Sequence, residues 1–230
     1  MVLVIFDIDG TLVYSNKVDS QCFADTYEEV YRKTFPTINW AQYPHVVDTV
    51  IFKEVIKQHF QRVPDQKEMN DFQQLFAQRI EAERKVHPEK FKEVPGAKKM
   101  VDYLLGQTEF AVGIGTGGWL KPAKIKLQHV GIAPQKLFLS AADGQPSREA
   151  ILQYAVDQAH AKHISFKKIV YVGDALWDVR TTRNMQMDFI GIRRNDDRRL
   201  LMEAGATQVF QNYLDPSSFL DAIKNAVPPM

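Results

Sequence analysis

Val2-Leu3-Val4-Ile5-Phe6-Asp7-Ile8-Asp9-Gly10-Thr11 is an apolar run that stops on two carboxylates, a glycine and a hydroxyl. An unbroken run of this kind, rich in Val and Ile, predicts a strand buried on both faces. Its polar residues then lie where the chain leaves the sheet, and open α/β sheets carry their sites at that edge. Asp7 and Asp9 are two apart, so while the chain stays extended their side chains share one side and their charges repel. Such a pair is stable when it shares a proton or holds a cation. An Asp-Gly turn ending a strand accounts for Gly10 but leaves the pair without a reason. The pair points to a hard-cation site in which one carboxylate also attacks an electrophile.

The 230 residues, 45% of them hydrophobic, suffice for a sizeable core, either as one large domain or as a domain with an insertion. With 29 basic against 28 acidic residues and a pI near 7.8, no net field draws the chain to nucleic acid or to an anionic membrane, and neither is expected as a partner. Any affinity for phosphate must be local. Cys22 is the only cysteine, which excludes an internal disulfide and a cysteine-based zinc cage and suits a reducing compartment. The opening run is too short to span a membrane, and no charged leader precedes it, so a cytoplasmic location is expected.

From Asn16 to about Pro88 strand signals vanish and apolar residues take up helical spacing. Phe23, Tyr27, Val30 and Tyr31 fall at i, i+4, i+7 and i+8, and Phe72, Leu75, Phe76 and Ile80 repeat the pattern. Residues 16–88 are therefore expected as a helical insert, and residues 1–15 with 89–230 as the main body. Between the helices, His45, Asp48 and Thr49 stand in an aromatic-rich stretch; packing accounts for most such residues, and a substrate-facing role is the alternative. After Val94-Pro95-Gly96, which marks a break between insert and body, a helix over 97–105 leads to a strand over 110–114. Further strands read at 137–139, 169–172, 189–192 and 208–210, with a closing helix near 217–226. Strands alternating with helices predict an α/β fold with a doubly wound parallel sheet.

Three further stretches carry chemistry. Gly115-Thr116-Gly117-Gly118 lies between a strand and a helix, where free N–H groups and the helix dipole bind anions. The same stretch satisfies G-x-G-x-x-G at Gly113, Gly115 and Gly118, with Asp143 where a dinucleotide fold keeps its ribose-binding acid, but that reading leaves Asp7 and Asp9 idle. Val170-Tyr171-Val172-Gly173-Asp174 is a second buried strand ending on a carboxylate, with Asp178 four residues on. In a parallel sheet it opens on the edge that carries Asp7. Four carboxylates without histidine or cysteine describe a Mg²⁺ site, although Asp178 could instead charge the start of a helix. Ser147 reads as the N-cap of the next helix, and Arg148 in its first turn opposes the dipole. Either Glu149 offsets that charge at the surface, or Arg148 faces the acid cluster and phosphate.

Asp7-x-Asp9-Gly10-Thr11, Thr116 after a strand, and Gly173-Asp174-x-x-x-Asp178 resemble, in order, the first, second and fourth motifs of the haloacid dehalogenase-like superfamily. The insert resembles the helical cap of its phosphoglycolate phosphatase and β-phosphoglucomutase branch. The resemblance implies a Rossmann-like core with an inserted all-helical cap. It implies a phosphatase acting on a small phosphorylated metabolite through an aspartyl-phosphate; the alternatives are a phosphomutase on the same core and, from different classes, a dinucleotide-binding oxidoreductase on the glycine fingerprint or a non-catalytic binding protein. On this likeness Asp7 is the nucleophile and Asp9 the general acid and base. Asp7, the Asp9 main-chain carbonyl and Asp174 hold Mg²⁺, with Asp178 a ligand or just behind, and Thr116, Gly117 and Arg148 bind phosphate. Two positions depart from the pattern. Arg148 stands where relatives usually carry a lysine, for which Lys121, Lys124, Lys167 and Lys168 are the competitors, and Gly117 stands where many carry asparagine. The second acid, Asp9, argues for phosphoryl transfer over carbon–halogen cleavage.

Overall fold

The computed structural model describes residues 1–162, 165–194 and 197–230. Strand β1 (Val2–Phe6) is apolar throughout and lies in the middle of the molecule. Strand geometry sends alternate side chains to opposite faces: Val2, Val4 and Phe6 enter one hydrophobic cluster, Leu3 and Ile5 the other. Both faces of β1 are therefore covered.

After β1 the chain forms a short β2 (Val13–Tyr14) and three helices, α1 (Asn16–Tyr31), α2 (Asp48–Phe60) and α3 (Gln66–Val86). It returns through β3 (Lys92–Glu93), which pairs antiparallel with β2, so outgoing and returning chains are hydrogen-bonded at a two-strand neck. Then follow α4 (Ala97–Leu105), β4 (Phe110–Gly115), α5 (Leu120–His129), β5 (Phe138–Ser140), α6 (Arg148–His160) and β6 (Lys168–Gly173). The chain closes with α7 (Leu176–Asn184), β7 (Asp188–Ile192), α8 (Arg198–Glu203), β8 (Val209–Phe210) and α9 (Pro216–Asn225).

The six main strands pair in parallel in the order β5-β4-β1-β6-β7-β8. Helices α4, α5 and α9 pack on the face that holds Val4 and Phe6, and α6, α7 and α8 on the face that holds Leu3 and Ile5. The sheet is doubly wound, and the chain reverses direction across it at β1. Such a switch point leaves a crevice at the carboxyl ends of the strands. Phe6 is in register with Ile114 of β4 and Val172 of β6, which sets Asp7 beside the ends of both neighbours.

The insert is helical, and an aromatic cluster organises it. Phe23 contacts Phe35, Trp40, Phe72 and Phe76 with ring centroids 5.3–5.8 Å apart, mostly edge to face, the geometry aromatic quadrupoles favour. Two residues of the expected apolar stripes point outward: Val30 and Leu75 are exposed. The buried face of α1 follows Phe23, Tyr27 and Tyr31 at i, i+4 and i+8, and that of α3 follows Phe72, Phe76 and Ile80, which leaves the intervening residues on the rim. The neck strands and α8 have no counterpart in the pattern reading, being too short to show periodicity.

Candidate active site

Asp7 is the first residue past β1, and its N–H donates to the Val172 carbonyl, so the end of β6 holds its backbone. Gly10 then turns the chain with a φ of +82°. A Cβ there would stand 2.0 Å from Asp174 Oδ2, so the glycine provides both the left-handed turn and the close approach of the two loops. Asp7, Asp174 and Asp178 are all buried, with carboxylate oxygens within 4.8 Å of one another. Burial, reinforced by the neighbouring carboxylates, pushes the Asp7 carboxyl up to about 7 against the lowering pull of Arg148. Burial raises Asp174 well above its ordinary range, with Asp178 and Asp7 adding to the effect. Such crowded hard oxygens are what a divalent cation satisfies, and the donor set fits one.

The three acids do not have equal freedom. Asp178 Oδ2 accepts from the N–H groups of Asp174 and Ala175, at 3.1 and 3.0 Å, and Oδ1 accepts from Arg148 Nη2 at 2.6 Å. Both oxygens are thus occupied in holding the loop after β6 and in fixing the guanidinium. Arg148 also donates to the Tyr171 hydroxyl at 2.7 Å and lies 3.6 Å from Asp7 Oδ1. Ser147 caps α6, its hydroxyl accepting from the Ala150 N–H, and the acid cluster compensates the arginine that follows. The competing cations lie elsewhere. Lys121, Lys124 and Lys167 are exposed, and Lys168 pairs with Asp188 at the opposite end of β6.

Thr116 and Gly117 follow β4. Thr116 is buried, its N–H donates to the Ser140 carbonyl, and its hydroxyl accepts from the Gly118 N–H. A Cβ on Gly117 would lie 2.5 Å from Arg148 Nη1 and from the Val46 carbonyl, so a side chain here would displace the arginine. The dinucleotide fingerprint has another explanation. Gly113 and Gly115 are strand residues pressed against Phe138 and Leu152, and Asp143 accepts from the Leu120 N–H at the start of α5.

Of the insert residues singled out from sequence, Asp48 reaches the site and the other two do not. Asp48 lines a cavity of about 620 Å³ together with Asp7, Asp9, Thr116, Arg148 and Asp174. Its N–H donates to the Gly117 carbonyl and its Oδ2 accepts from the Trp119 N–H. Thr49 is buried outside the cavity, donating to the Ala142 carbonyl and accepting from the Trp119 indole N–H. His45 is exposed and also lies off the cavity. The insert contributes residues that the pattern reading passed over, among them Lys17, Asp19, Gln21, Asn39 and Trp40.

A further charged residue was not anticipated. Lys126 of α5 is 1% exposed, and its Nζ lies 2.8 and 2.6 Å from the two oxygens of Asp9 and 2.5 Å from Asp19 Oδ1 of α1. Ala123, Lys126, Leu127 and Val130 follow helical spacing, so Lys126 sits in an apolar stripe. A lysine in that register was the available signal. Ser15 adds a hydrogen bond of 2.5 Å to Asp9 Oδ1.

The geometry agrees with what the chain is similar to. A hydrolase from Pseudomonas syringae superposes with a TM-score of 0.72 at 18% identity, over 97% of this chain and 99% of that one. CbbY from Rhodobacter sphaeroides, in complex with xylulose-1,5-bisphosphate, superposes at 0.68 and 15% identity over 93% and 95%. A provisionally assigned β-phosphoglucomutase from Bacteroides vulgatus gives 0.64 and 14% over 99% and 90%. No curated protein is significantly similar in sequence. The family model of the haloacid dehalogenase-like hydrolases matches residues 4–192, from β1 through β7, and takes in the strand ends that carry Asp7, Thr116 and Asp174. The chain therefore belongs to the haloacid dehalogenase-like hydrolases, with a Rossmann-like core and a helical cap.

Proposed function

We propose that the protein is a Mg²⁺-dependent phosphatase that hydrolyses a small phosphorylated metabolite through a phosphoaspartate on Asp7. The observation that carries this reading is the setting of Asp7: a strand-end carboxylate at the floor of a cavity of about 620 Å³, with an arginine 3.6 Å away and a second aspartate two residues on. In the first half-reaction an Asp7 oxygen bonds to phosphorus as the ester oxygen leaves, taking a proton from Asp9. In the second, Asp9 accepts a proton from water as the water oxygen attacks phosphorus, freeing Asp7 and inorganic phosphate. Thr116, the N–H groups around Gly117, and Arg148 hold the phosphoryl oxygens. Asp7, the Asp9 carbonyl and Asp174 would hold the ion, which supplies charge neutralisation to the transferring group. Asp178 acts behind them, because its oxygens are already engaged.

Residues 16–88 act as the cap over the body formed by residues 1–15 and 89–230. Its residues around Asp19, Trp40 and Asp48 read the leaving group and exclude water. Among the described residues no helix is long and apolar enough to cross a membrane. That finding, the balanced charge and the unpaired Cys22 fit a cytoplasmic enzyme of small metabolites. The test is phosphate release from sugar phosphates, nucleotides, phosphoglycolate and pyrophosphate, with and without Mg²⁺. Release that needs the ion and disappears in Asp7→Asn supports the reading. Full release in excess EDTA, or by Asp7→Asn, refutes it.

A further inference from the structure

The buried ammonium of Lys126 has no part in the reaction as drawn above. Removing an ammonium from water costs several kcal/mol, and an unbranched apolar side chain would fill the same space at lower cost, so packing does not account for it. Its surroundings do. Asp9 Oδ1 receives hydrogen bonds from both Lys126 and Ser15, and Oδ2 receives one from Lys126 alone. Held from two directions, the Asp9 carboxylate cannot turn about its last torsion, and Oδ2 is the less occupied oxygen. The same ammonium reaches Asp19, in the first turn of cap helix α1.

The helix that carries Lys126 is itself gripped by the cap. Trp119, at the start of α5, is 1% exposed and stacks on Phe23 with centroids 5.5 Å apart. It also contacts Phe52, Phe72 and Phe76, and donates to Thr49. Core helix and cap helix are thus joined at Trp119 and again at Lys126, about two turns on.

We propose that Lys126 is a positioning residue of phosphoryl transfer, which orients the Asp9 carboxylate towards the leaving group and, through Asp19, makes that orientation depend on the docked cap. The inference rests on the phosphatase reading of Asp7 and Asp9. Lys126 does not line the cavity; it acts through Asp9.

The test compares phosphate release from p-nitrophenyl phosphate, whose leaving group needs no proton, with release from an alkyl phosphate, whose leaving group does. Lys126→Met should lower kcat/KM on the alkyl ester, which reports the steps up to loss of the leaving group and not the later hydrolysis common to both esters, by on the order of 10²-fold, since small misplacements of a reacting group cost that much. The loss on the aryl ester should be much smaller. Lys126→Arg should recover part of the alkyl-ester rate, and Asp19→Asn should lower the alkyl-ester rate several-fold more than the aryl-ester rate. Equal losses on both esters, or none, would show a structural role and overturn the proposal. If Lys126→Met does not fold, Asp19→Asn decides: unchanged rates on both esters overturn it. Wild-type enzyme that releases no phosphate, or Asp7→Asn that still does, refutes the phosphatase reading and this inference with it. A working wild type with an indifferent Lys126 refutes the inference alone.

Discussion

At the scale of single residues, two carboxylates two apart have different surroundings, and the proposed division of labour follows from them. Asp7 is buried against Arg148 and two other acids, whereas Asp9 is half-buried and hydrogen-bonded by Ser15 and Lys126. Asp7→Asn should abolish turnover in a folded protein, because an amide is a poor nucleophile. Asp9→Asn should retain phosphate binding but lose ~10²–10⁴-fold in rate on alkyl esters. Steady-state kinetics with both ester classes, alongside circular dichroism, checks the pair. Arg148 carries a double burden, since it faces Asp7 and also neutralises the buried Asp178. Arg148→Ala should therefore lower kcat by a few powers of ten and also destabilise the fold by about 3–5 kcal/mol, the usual effect of stranding a buried charge. Arg148→Lys should regain stability and rate only in part, because one ammonium cannot replace the fork that reaches Asp178 and Tyr171 together. Urea melts and kinetics on the same samples separate the two effects.

At the scale of elements, the cap and the body share more than the two-strand neck. Trp119 belongs to the body by sequence, yet its ring lies in the aromatic cluster of the cap, and Asp48 and Thr49 of α2 are hydrogen-bonded to the loops after β4 and β5. Arg180 of α7 adds a hydrogen bond to the Pro44 carbonyl. Separating the two layers would expose an indole to water and exchange these hydrogen bonds for bonds to solvent, so burial of Trp119 favours the docked arrangement. Trp119→Ala should cost about 3–5 kcal/mol, as large-to-small changes at buried aromatics do. It should also open the α1–α3 segment to proteolysis before the sheet unfolds. Limited proteolysis with mass mapping checks the order of cleavage, and simultaneous loss of both segments would argue against a separable cap.

At the scale of the whole molecule, the acid cluster couples folding to protons and, on the proposed reading, to metal. Burial lifts the Asp7 carboxyl to about 7 in the folded protein, above its value in the unfolded chain, so the folded state binds the proton more tightly. Its contribution to stability is complete below about pH 4 and is lost as the pH rises through 7. A divalent ion competes with that proton, so its stabilising effect should grow over the same interval. At a concentration a hundred times its dissociation constant, Mg²⁺ should add about 2.7 kcal/mol near pH 8. At roughly 2–4 °C per kcal/mol for a chain of this size, the Tm shift is readily measured. Melts in Mg²⁺ and in EDTA at pH 5 and pH 8 should show the larger shift at pH 8, and Asp7→Asn should reduce it. Equal shifts at both values would mean that the ion binds elsewhere.

The amino-acid sequence by itself determined the elements whose signals are local. The run from Val2 to Phe6 is apolar on both faces, so it had to be an interior strand, and the polar residues after it had to lie at a sheet edge. Parallel pairing then placed the ends of β4 and β6 on that same edge, which made the meeting of Asp7, Thr116 and Asp174 legible without coordinates. Ser147 and Arg148 were legible for a similar reason, since helix starts have recognisable caps and a misplaced charge asks for a partner. Tertiary structure alone decided the contacts that cross between layers. Thr49 lies one residue from Asp48 on the same helix, yet it is locked between Trp119 and Ala142 while Asp48 faces the cavity. Lys126 was hidden in the apolar stripe of α5, and the two acids that neutralise it come from positions more than a hundred residues earlier. Periodicity reports which face of a helix is buried; it cannot report what that face meets, because the partner is set by packing between segments far apart in the chain.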